Sequence, residues 1–324
     1  MASMKQVIVV SLPGITDLQY RRELNYIAEF FKELDDKTVG RDHLLITHDQ
    51  SGLQYLDKHN FRHAKFIQVE NYLDLWMRDF PPTMPKLQVK FIYKPHYVKP
   101  SNAKRVEEDF AKFGHQMKLP TFQRCEIILE GGNIVENGKD IAIVSDRVFK
   151  DNRHISEDKI VEKLENSIQR KVIFIPDPED TTSHSDGIVS FVEEDVLVVA
   201  CYSDRDGIEY YEEIKSLIRR EAPEVKVVPL PCYELKKKSW GFSSAEGCYA
   251  NALVTNNAVY VPFFSKQACN DRALEVYNSH TKKEVIPILS AGNLAVLGGS
   301  TRCLSWQISE DNPIAQSLLS GATE

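Results

Sequence analysis

The sequence predicts an α/β fold in which short strands alternate with helices along most of the chain. Apolar runs of strand length are separated by longer segments whose apolar residues recur with helical spacing. Predicted strands outnumber predicted helices about two to one. Short polar turns also join consecutive apolar runs, which is typical of antiparallel hairpins.

The individual elements follow from these patterns. The predicted strands lie at 7–10, 44–46, 65–69, 89–93, 141–144, 172–175, 225–228 and 259–261, and the apolar runs 188–192 and 196–201 also fit strands. The predicted helices lie at 17–34, 156–168, 208–220 and 266–280, and Ser156 is predicted to cap the second.

Three turns, at 136–139, 193–195 and 255–257, each join two apolar runs. The first contains Asn137-Gly138, a pair suited to a tight reversal. Each hairpin is followed by a helix and then by another strand, so a strand-strand-helix-strand module recurs about every 60 residues. This recurrence indicates a repeat architecture.

The composition is that of a globular protein with a sizeable core. The chain has 324 residues, of which 42% are hydrophobic and 27% charged. Because no low-complexity linker divides it, we predict a single domain over 1–324. The net charge of −7 disfavours nucleic acid or an anionic membrane as the main partner and permits a cationic small-molecule substrate. The sequence leaves the oligomeric state open, with a homo-oligomer possible.

Six cysteines are scattered without CxxC spacing, so the sequence suggests neither a zinc site nor a disulfide framework. No HExxH helix or phosphate-binding glycine loop is present, and we predict no metal and no cofactor. The apolar runs are too short to span a bilayer and the first residues lack a signal-peptide core, which predicts a cytoplasmic protein.

Cys303 is the candidate nucleophile, because it follows the glycine turn Gly298-Gly299. A lone cysteine is more often an inert core thiol, since free cysteine is among the most buried residue types. A catalytic cysteine needs partial exposure and neighbouring hydrogen-bonding or positive groups. The case for Cys303 therefore depends on its partners.

Four polar residues are candidate partners. His184 and Asp186 precede an apolar run and are two residues apart, so on a strand they would share one face. Asp79 precedes a pair of prolines and is predicted to end a strand. Glu130 follows an apolar run and enters a glycine turn. Taken singly, each could be only a structural hydrogen-bonding or ion-pairing group.

Together these residue types suit one chemistry. Two carboxylates can hold a planar guanidinium cation, which matches carboxylates in fork geometry. A thiolate can then attack the central carbon while a histidine protonates the departing nitrogen and later activates water. Ammonia leaves and a urea remains.

In their order along the chain these motifs resemble the guanidine-modifying superfamily, within it the agmatine deiminase and bacterial peptidylarginine deiminase branch. The resemblance covers residues 70–310. It implies a five-bladed, pseudo-fivefold α/β propeller with a central active site. It also implies Cys303 as nucleophile, His184 as general acid and base, Asp79 and Asp186 as guanidinium-holding carboxylates and Glu130 as the group that orients the histidine.

The resemblance makes agmatine the leading substrate, with free or peptidyl arginine as the alternative. Trp76 and Arg302 are the further candidate substrate-binding residues. Arg302 adjoins the nucleophile in a pattern similar to arginine deiminases, where a cation could bind a substrate carboxylate. Two other function classes remain open: an amidinotransferase that uses the same residues, and a guanidine-binding module without catalysis.

Overall fold

A computed structural model describes residues 4–178 and 181–323. The strands are β1 (Gln6–Ser11), β2 (His43–His48), β3 (Lys65–Gln68), β4 (Val89–Ile92), β5 (Gln123–Ile128), β6 (Val135–Glu136), β7 (Ile141–Ser145), β8 (Lys171–Ile175), β9 (Val189–Glu193), β10 (Val196–Cys201), β11 (Lys226–Pro231), β12 (Lys238–Ser239), β13 (Phe242–Ser243), β14 (Leu253–Val254), β15 (Ala258–Pro262), β16 (Glu284–Ile288) and β17 (Trp306–Ser309).

The helices are α1 (Leu24–Thr38), α2 (Leu53–Leu56), α3 (Pro100–Gln116), α4 (Arg147–Asp151), α5 (Glu157–Ile168), α6 (Arg205–Glu221), α7 (Gln267–His280), α8 (Ala291–Leu294) and α9 (Pro313–Gly321). Three 3-10 turns lie at 131–133, 185–187 and 295–297. The mixed α/β class predicted from the sequence is confirmed.

Five strand-helix-strand units recur in the described part of the chain. In each unit the two strands pair in parallel: β1 with β2, β4 with β5, β7 with β8, β10 with β11 and β15 with β16. A helix of at least twelve residues, α1, α3, α5, α6 or α7, lies between the two strands in sequence. Parallel strands need such a crossover because a tight turn cannot connect them.

Antiparallel strands extend these units at the predicted hairpins. The turns predicted at 136–139, 193–195 and 255–257 join β6 to β7, β9 to β10 and β14 to β15, so all three hairpins are confirmed. In the first unit the antiparallel partner of β1 comes from far along the chain, because β17 takes that position. Sequence-distant segments therefore complete one sheet.

In four of the five units, all except the one that begins with β4, the first strand packs into one hydrophobic cluster on each face. In β1, Val7 and Val9 pack into one hydrophobic cluster, while Ile8 and Val10 pack into another. Successive side chains of a strand point to opposite faces. A strand that fills two cores must be apolar throughout, which explains the unbroken apolar runs in the sequence.

The described residues contain five hydrophobic clusters, and each draws its residues from two units. They join the first unit to the second, the second to the third, the third to the fourth, the fourth to the fifth and the fifth back to the first. The core is thus distributed around the molecule in a closed cycle.

Some helix predictions were wrong or incomplete. The helix predicted over 17–34 begins only at Leu24, because residues 17–23 form turns in which the Asp17 side chain accepts a hydrogen bond from the Gln19 amide. Helix α3 was missed, although Pro100 occupies its first turn and its buried positions Ala103, Val106, Phe110 and Phe113 have helical spacing. Ser156 precedes α5 but makes no side-chain capping bond.

Within 4–178 and 181–323, none of the helices combines the length and the apolar character that crossing a membrane would require.

Candidate active site

Asp79 lies in a turn stabilised by the adjacent glycine segment. Its amide donates to the carbonyl of Trp76, and its own carbonyl accepts from the Gly131 amide. Its Oδ1 accepts from the Gly132 amide at 3.1 Å. The prediction that Asp79 ends a strand was wrong, because residues 77–79 form a turn well after β3. These bonds fix the carboxylate against the Glu130 turn.

Glu130 follows β5, as the sequence predicts, and leads into the 3-10 turn at 131–133. The two glycines that follow it are required by close packing. A Cβ on Gly132 would lie 2.8 Å from Asp79 Oδ1 and would also overlap His184 Nδ1, and a Cβ on Gly131 would overlap the Arg78 carbonyl. The absence of side chains here lets three segments meet.

His184 and Asp186 do not share a strand, so that prediction was wrong. His184 is extended and precedes a 3-10 turn that contains Asp186, and β9 begins only at Val189. Asn133 fixes this turn, because its Oδ1 accepts from the Ser185 amide at 3.2 Å. The turn still brings both side chains into the site.

Cys303 lies in the turn that follows Gly298, whose φ of 104° places it in the left-handed region. Arg78 holds this turn from behind: its amide donates to the Cys303 carbonyl at 3.1 Å, and its Nε donates to the Arg302 carbonyl at 3.3 Å. Trp76 packs against Gly299, where a Cβ would overlap the indole ring. Cys303 is partly exposed, as predicted for a catalytic cysteine.

His184 lies between two carboxylates. Its Nδ1 is 3.8 Å from Asp79 Oδ1, and its Nε2 is 3.7 Å from Glu130 Oε2. All three side chains are at most 10% exposed. Glu130 Oε1 is buried without a hydrogen-bond partner, so one acceptor of this cluster is unsatisfied.

These neighbours change the protonation of the cluster. Burial opposes a charge on His184, but Asp79, Glu130 and Asp186 outweigh it and raise the pKa of His184 to about 10. Burial raises the pKa of Asp79 to about 7; Asp186 and Glu130 add to this rise, while His184 opposes it. The imidazole is therefore a cation at neutral pH and can donate a proton.

Asp186 joins the cysteine to Arg302. Its Oδ2 accepts from an Arg302 guanidinium nitrogen at 2.6 Å and lies 4.0 Å from Cys303 Sγ. The other terminal nitrogen of Arg302 donates to the Ile134 carbonyl at 2.7 Å. Asp186 is thus paired with a guanidinium from the chain itself, within reach of the sulfur.

Cys303 is held as a thiol in this environment. Burial, and after it the charges of Asp186 and Asp79, raise the pKa of Cys303 well above its usual value, while the Ser300 amide and the Asn251 side chain act in the opposite direction. An added cation near the sulfur would shift the balance towards the thiolate.

A small hairpin covers this cluster. The Phe242 ring, at the start of β13, makes an edge contact with Tyr97 at 5.7 Å between centroids, and Tyr97 makes a similar contact with His184 at 6.2 Å. The hairpin tip Trp240 is 65% exposed. Phe242 also packs on Gly298, so the hairpin contacts both the histidine side and the cysteine loop.

A cavity of about 260 Å³ adjoins the site and is bordered by the guanidinium-bearing residues Arg78 and Arg302. Its other lining residues come from β6, β9, β14 and β17 and the loops beside them, from Gln6 in β1, from residues 83–86 before β4 and from Lys283 before β16. Arg302 therefore reaches from this cavity to Asp186.

The structure brings together all seven residues singled out in the sequence, and it adds three that sequence reasoning missed. Arg78 directly precedes Asp79 in the sequence but was assigned no role from it. Asn251 interrupts an apolar segment, and a buried asparagine there has to find hydrogen-bond partners. Tyr97 lies in a loop without any distinctive pattern, so no signal identified it.

Comparison with known proteins identifies related sequences and folds. The profile of the Porphyromonas-type peptidyl-arginine deiminase family matches residues 3–309. A curated relative from Marinomonas sp. (strain MWYL1), named "Putative agmatine deiminase", is 22% identical over 212 residues. That match spans 57% of this chain and 57% of the relative, so it covers little more than half of each protein.

Solved structures share the fold over nearly the whole chain. The agmatine deiminase of C. jejuni superimposes with a TM-score of 0.76 and 18% identity, covering 95% of this chain and 94% of that one. The agmatine deiminase of Enterococcus faecalis gives a TM-score of 0.74 and 16% identity, with 94% of each chain covered.

Proposed function

The chain belongs to the Porphyromonas-type peptidyl-arginine deiminase family, and we propose that it hydrolyses a guanidino group, using Cys303 as nucleophile and releasing ammonia. The family indicates a deiminase, that is, a hydrolase acting on carbon–nitrogen bonds. The observation that carries the proposal is the cluster in which His184 lies between the carboxylates of Asp79 and Glu130, while Asp186 lies beside the Cys303 sulfur.

In the proposed mechanism Asp79 and Asp186 hold the guanidinium of the substrate. Its positive charge lowers the cost of ionising Cys303, so the thiolate forms when substrate is bound. The sulfur attacks the central carbon, and a carbon–sulfur bond forms as the carbon–nitrogen double bond opens to a tetrahedral adduct. His184 donates a proton to the departing nitrogen, which leaves as ammonia.

The second half of the reaction is hydrolysis of the amidino-thioether. His184, now neutral, accepts a proton from water, and the hydroxide attacks the same carbon. The carbon–sulfur bond breaks, the thiolate returns and a urea product leaves. Glu130 and Asp79 favour the protonated imidazole through their charges, which suits its role as acid in the first half.

Agmatine is the substrate we propose. Arginine would add a carboxylate, and the guanidinium groups of Arg78 and Arg302 are already engaged by protein acceptors. A substrate without a carboxylate fits this arrangement better. Peptidyl arginine is the second candidate, because its carboxyl is an amide and the matching family takes its name from that reaction.

We also propose that the five strand-helix-strand units are the blades of one pseudo-fivefold propeller formed by residues 1–324. The closed cycle of hydrophobic clusters supports this arrangement. The candidate site would then lie on the central axis, where residues from different blades meet.

The test is ammonia release from agmatine, arginine, a methylated arginine and an arginine peptide, with mass spectrometry of the product. Cys303→Ala should abolish release from every compound. Cys269→Ala, in α7, is the matched control and should retain it. Turnover that persists in Cys303→Ala, or absence of turnover in the unaltered enzyme, would refute the proposal.

The same assay separates the alternatives. An amidinotransferase would release ornithine or another amine from arginine and transfer the amidino group to an added amine such as glycine. A binding module would retain the substrate without product. Agmatine should instead give N-carbamoylputrescine even when amines are present.

A further inference from the structure

Asn251 occupies an unusual position for a polar side chain. It lies between β13 and β14 and is only 2% exposed, and its neighbours Ala250 and Ala252 are fully buried. A buried asparagine is costly unless its amide finds partners. All the partners of this amide belong to the candidate site.

The contacts of Asn251 join two catalytic segments. Its Oδ1 accepts from the Cys303 amide at 3.2 Å, and its Nδ2 donates to the Asp186 carbonyl at 3.4 Å. Its backbone carbonyl accepts from the Arg302 amide at 3.2 Å. One residue therefore contacts the nucleophile, the residue before it and the carboxylate beside it.

These bonds complete a continuous chain of hydrogen bonds around the site. Asn133 links the Glu130 turn to the Ser185 amide, and Asn251 continues the chain from Asp186 to Cys303. Arg78 then binds the Cys303 carbonyl from the opposite side. The cysteine is thus fixed through both its amide and its carbonyl.

We propose that Asn251 is a positioning residue that fixes the Cys303 turn to the Asp186 turn and thereby keeps the sulfur next to the carboxylate oxygen. This inference rests on the proposed function for its catalytic consequence, since the sulfur must lie against the carbon of the bound guanidinium. A displacement of about 1 Å at such a site can lower the rate about 100-fold. The Asn251 side chain also favours the thiolate of Cys303.

The test compares Asn251→Ala with Asn270→Ala. Asn270 is equally buried, at 2% exposure, and its side chain donates to the Phe264 carbonyl and accepts from the Phe264 amide and the Tyr249 hydroxyl. None of these partners belongs to the candidate site. Asn270→Ala should therefore lose at least as much stability as Asn251→Ala, so a loss of activity confined to Asn251→Ala isolates the effect on the cysteine.

Two readouts are needed: kcat and KM for agmatine, and the rate at which iodoacetamide alkylates the peptide that starts at Cys303, measured across pH without substrate. Asn251→Ala should lower kcat about 100-fold, and it should slow alkylation about tenfold at a given pH because the sulfur loses a hydrogen bond that favours its thiolate. Asn270→Ala should change neither more than about twofold. Wild-type alkylation and kcat in a folded Asn251→Ala would overturn the proposal.

Asn251→Asp keeps the inference testable if the alanine variant unfolds. It retains an oxygen that can accept from the Cys303 amide but loses the donor to Asp186 and adds a negative charge. Alkylation should then be slower than in the unaltered protein, and an unchanged rate would contradict the proposal. Alkylation needs no substrate, so it tests the role of Asn251 even if the protein turns over no guanidino compound. Absence of turnover would refute only the proposed function.

Discussion

Gly132→Ala should disable the site through one added methyl group. In the structure a Cβ at this position would overlap His184 Nδ1 and would lie 3.0 Å from His184 Cε1 and 2.8 Å from Asp79 Oδ1. Ordinary contacts begin at 3.4 Å, so the ring carbon must retreat by about 0.4 Å and the carboxylate oxygen by about 0.6 Å. The Nδ1 atom has to move further still.

Such a shift acts on the two groups that hold and protonate the substrate. A misplacement approaching 1 Å can reduce the rate about 100-fold, and overpacking a full core costs about 1–3 kcal/mol. We therefore expect kcat/KM for the preferred guanidino compound to fall about 100-fold. The free energy of unfolding, measured by urea denaturation, should fall by about 1–3 kcal/mol.

Gly114→Ala is the matched control, because the same substitution lies within α3 and its Cβ would meet only Leu119 Cδ1, at 3.9 Å. Alanine is favoured over glycine inside a helix by about 0.5–1 kcal/mol. The control should therefore be at least as stable as the unaltered protein and fully active. A Gly132→Ala variant with normal kcat/KM and an unshifted His184 NMR signal would refute the close packing described here.

Two further predictions concern the charges of the site. Asp79→Asn should lower the pKa of His184 from about 10, because Asp79 is the strongest of the charges that raise it, and an NMR titration of the ring measures this. His184 has a folded pKa above its unfolded value of about 6.5, so the stability it contributes is fully present below that pH and is lost as the pH rises through about 10. In Asp79→Asn this stability should be lost at a lower pH, as measured by urea unfolding at a series of pH values. An unchanged pH profile of stability would contradict the pairing of Asp79 with His184. Arg302→Met should cost about 3–5 kcal/mol because it leaves Asp186 buried without its partner, and adding Asp186→Asn should restore part of the loss; strictly additive losses in this double-mutant cycle would show that the two side chains do not interact.

The sequence predicted the repeating units well because their signal is physical. Strands such as β1, whose Val7 and Ile8 fill different cores, have to be apolar at every position. The three hairpins each combined a polar turn with two apolar runs. Helix α3 was missed although it has four buried positions at helical spacing, one more than α6, which has the same length and was predicted.

The sequence named a set of candidate site residues that lie together in the fold, but it did not predict their local conformations. His184 and Asp186 were expected on a strand and lie at a 3-10 turn, since the Asn133 side chain binds the Ser185 amide and replaces strand pairing there. Sequence spacing carries no information about a bond between residues 52 positions apart. For the same reason Asn251, which binds Cys303 from an equal distance along the chain, could not be found from the sequence.

The pairing of β17 with β1 has a consequence for the newly made protein. Synthesis delivers the first strand long before its antiparallel neighbour, and only two residues separate Cys303 from the start of that neighbour. A ribosome-bound chain that stops short of Trp306 would leave one edge of β1 unpaired, and its Cys303 would not yet be held in place. The proposed hydrolysis should therefore begin only after β17 has paired with β1. Arrested chains of increasing length, released and assayed, should switch abruptly from inert to active near residue 309, whereas gradual recovery would contradict this order of events.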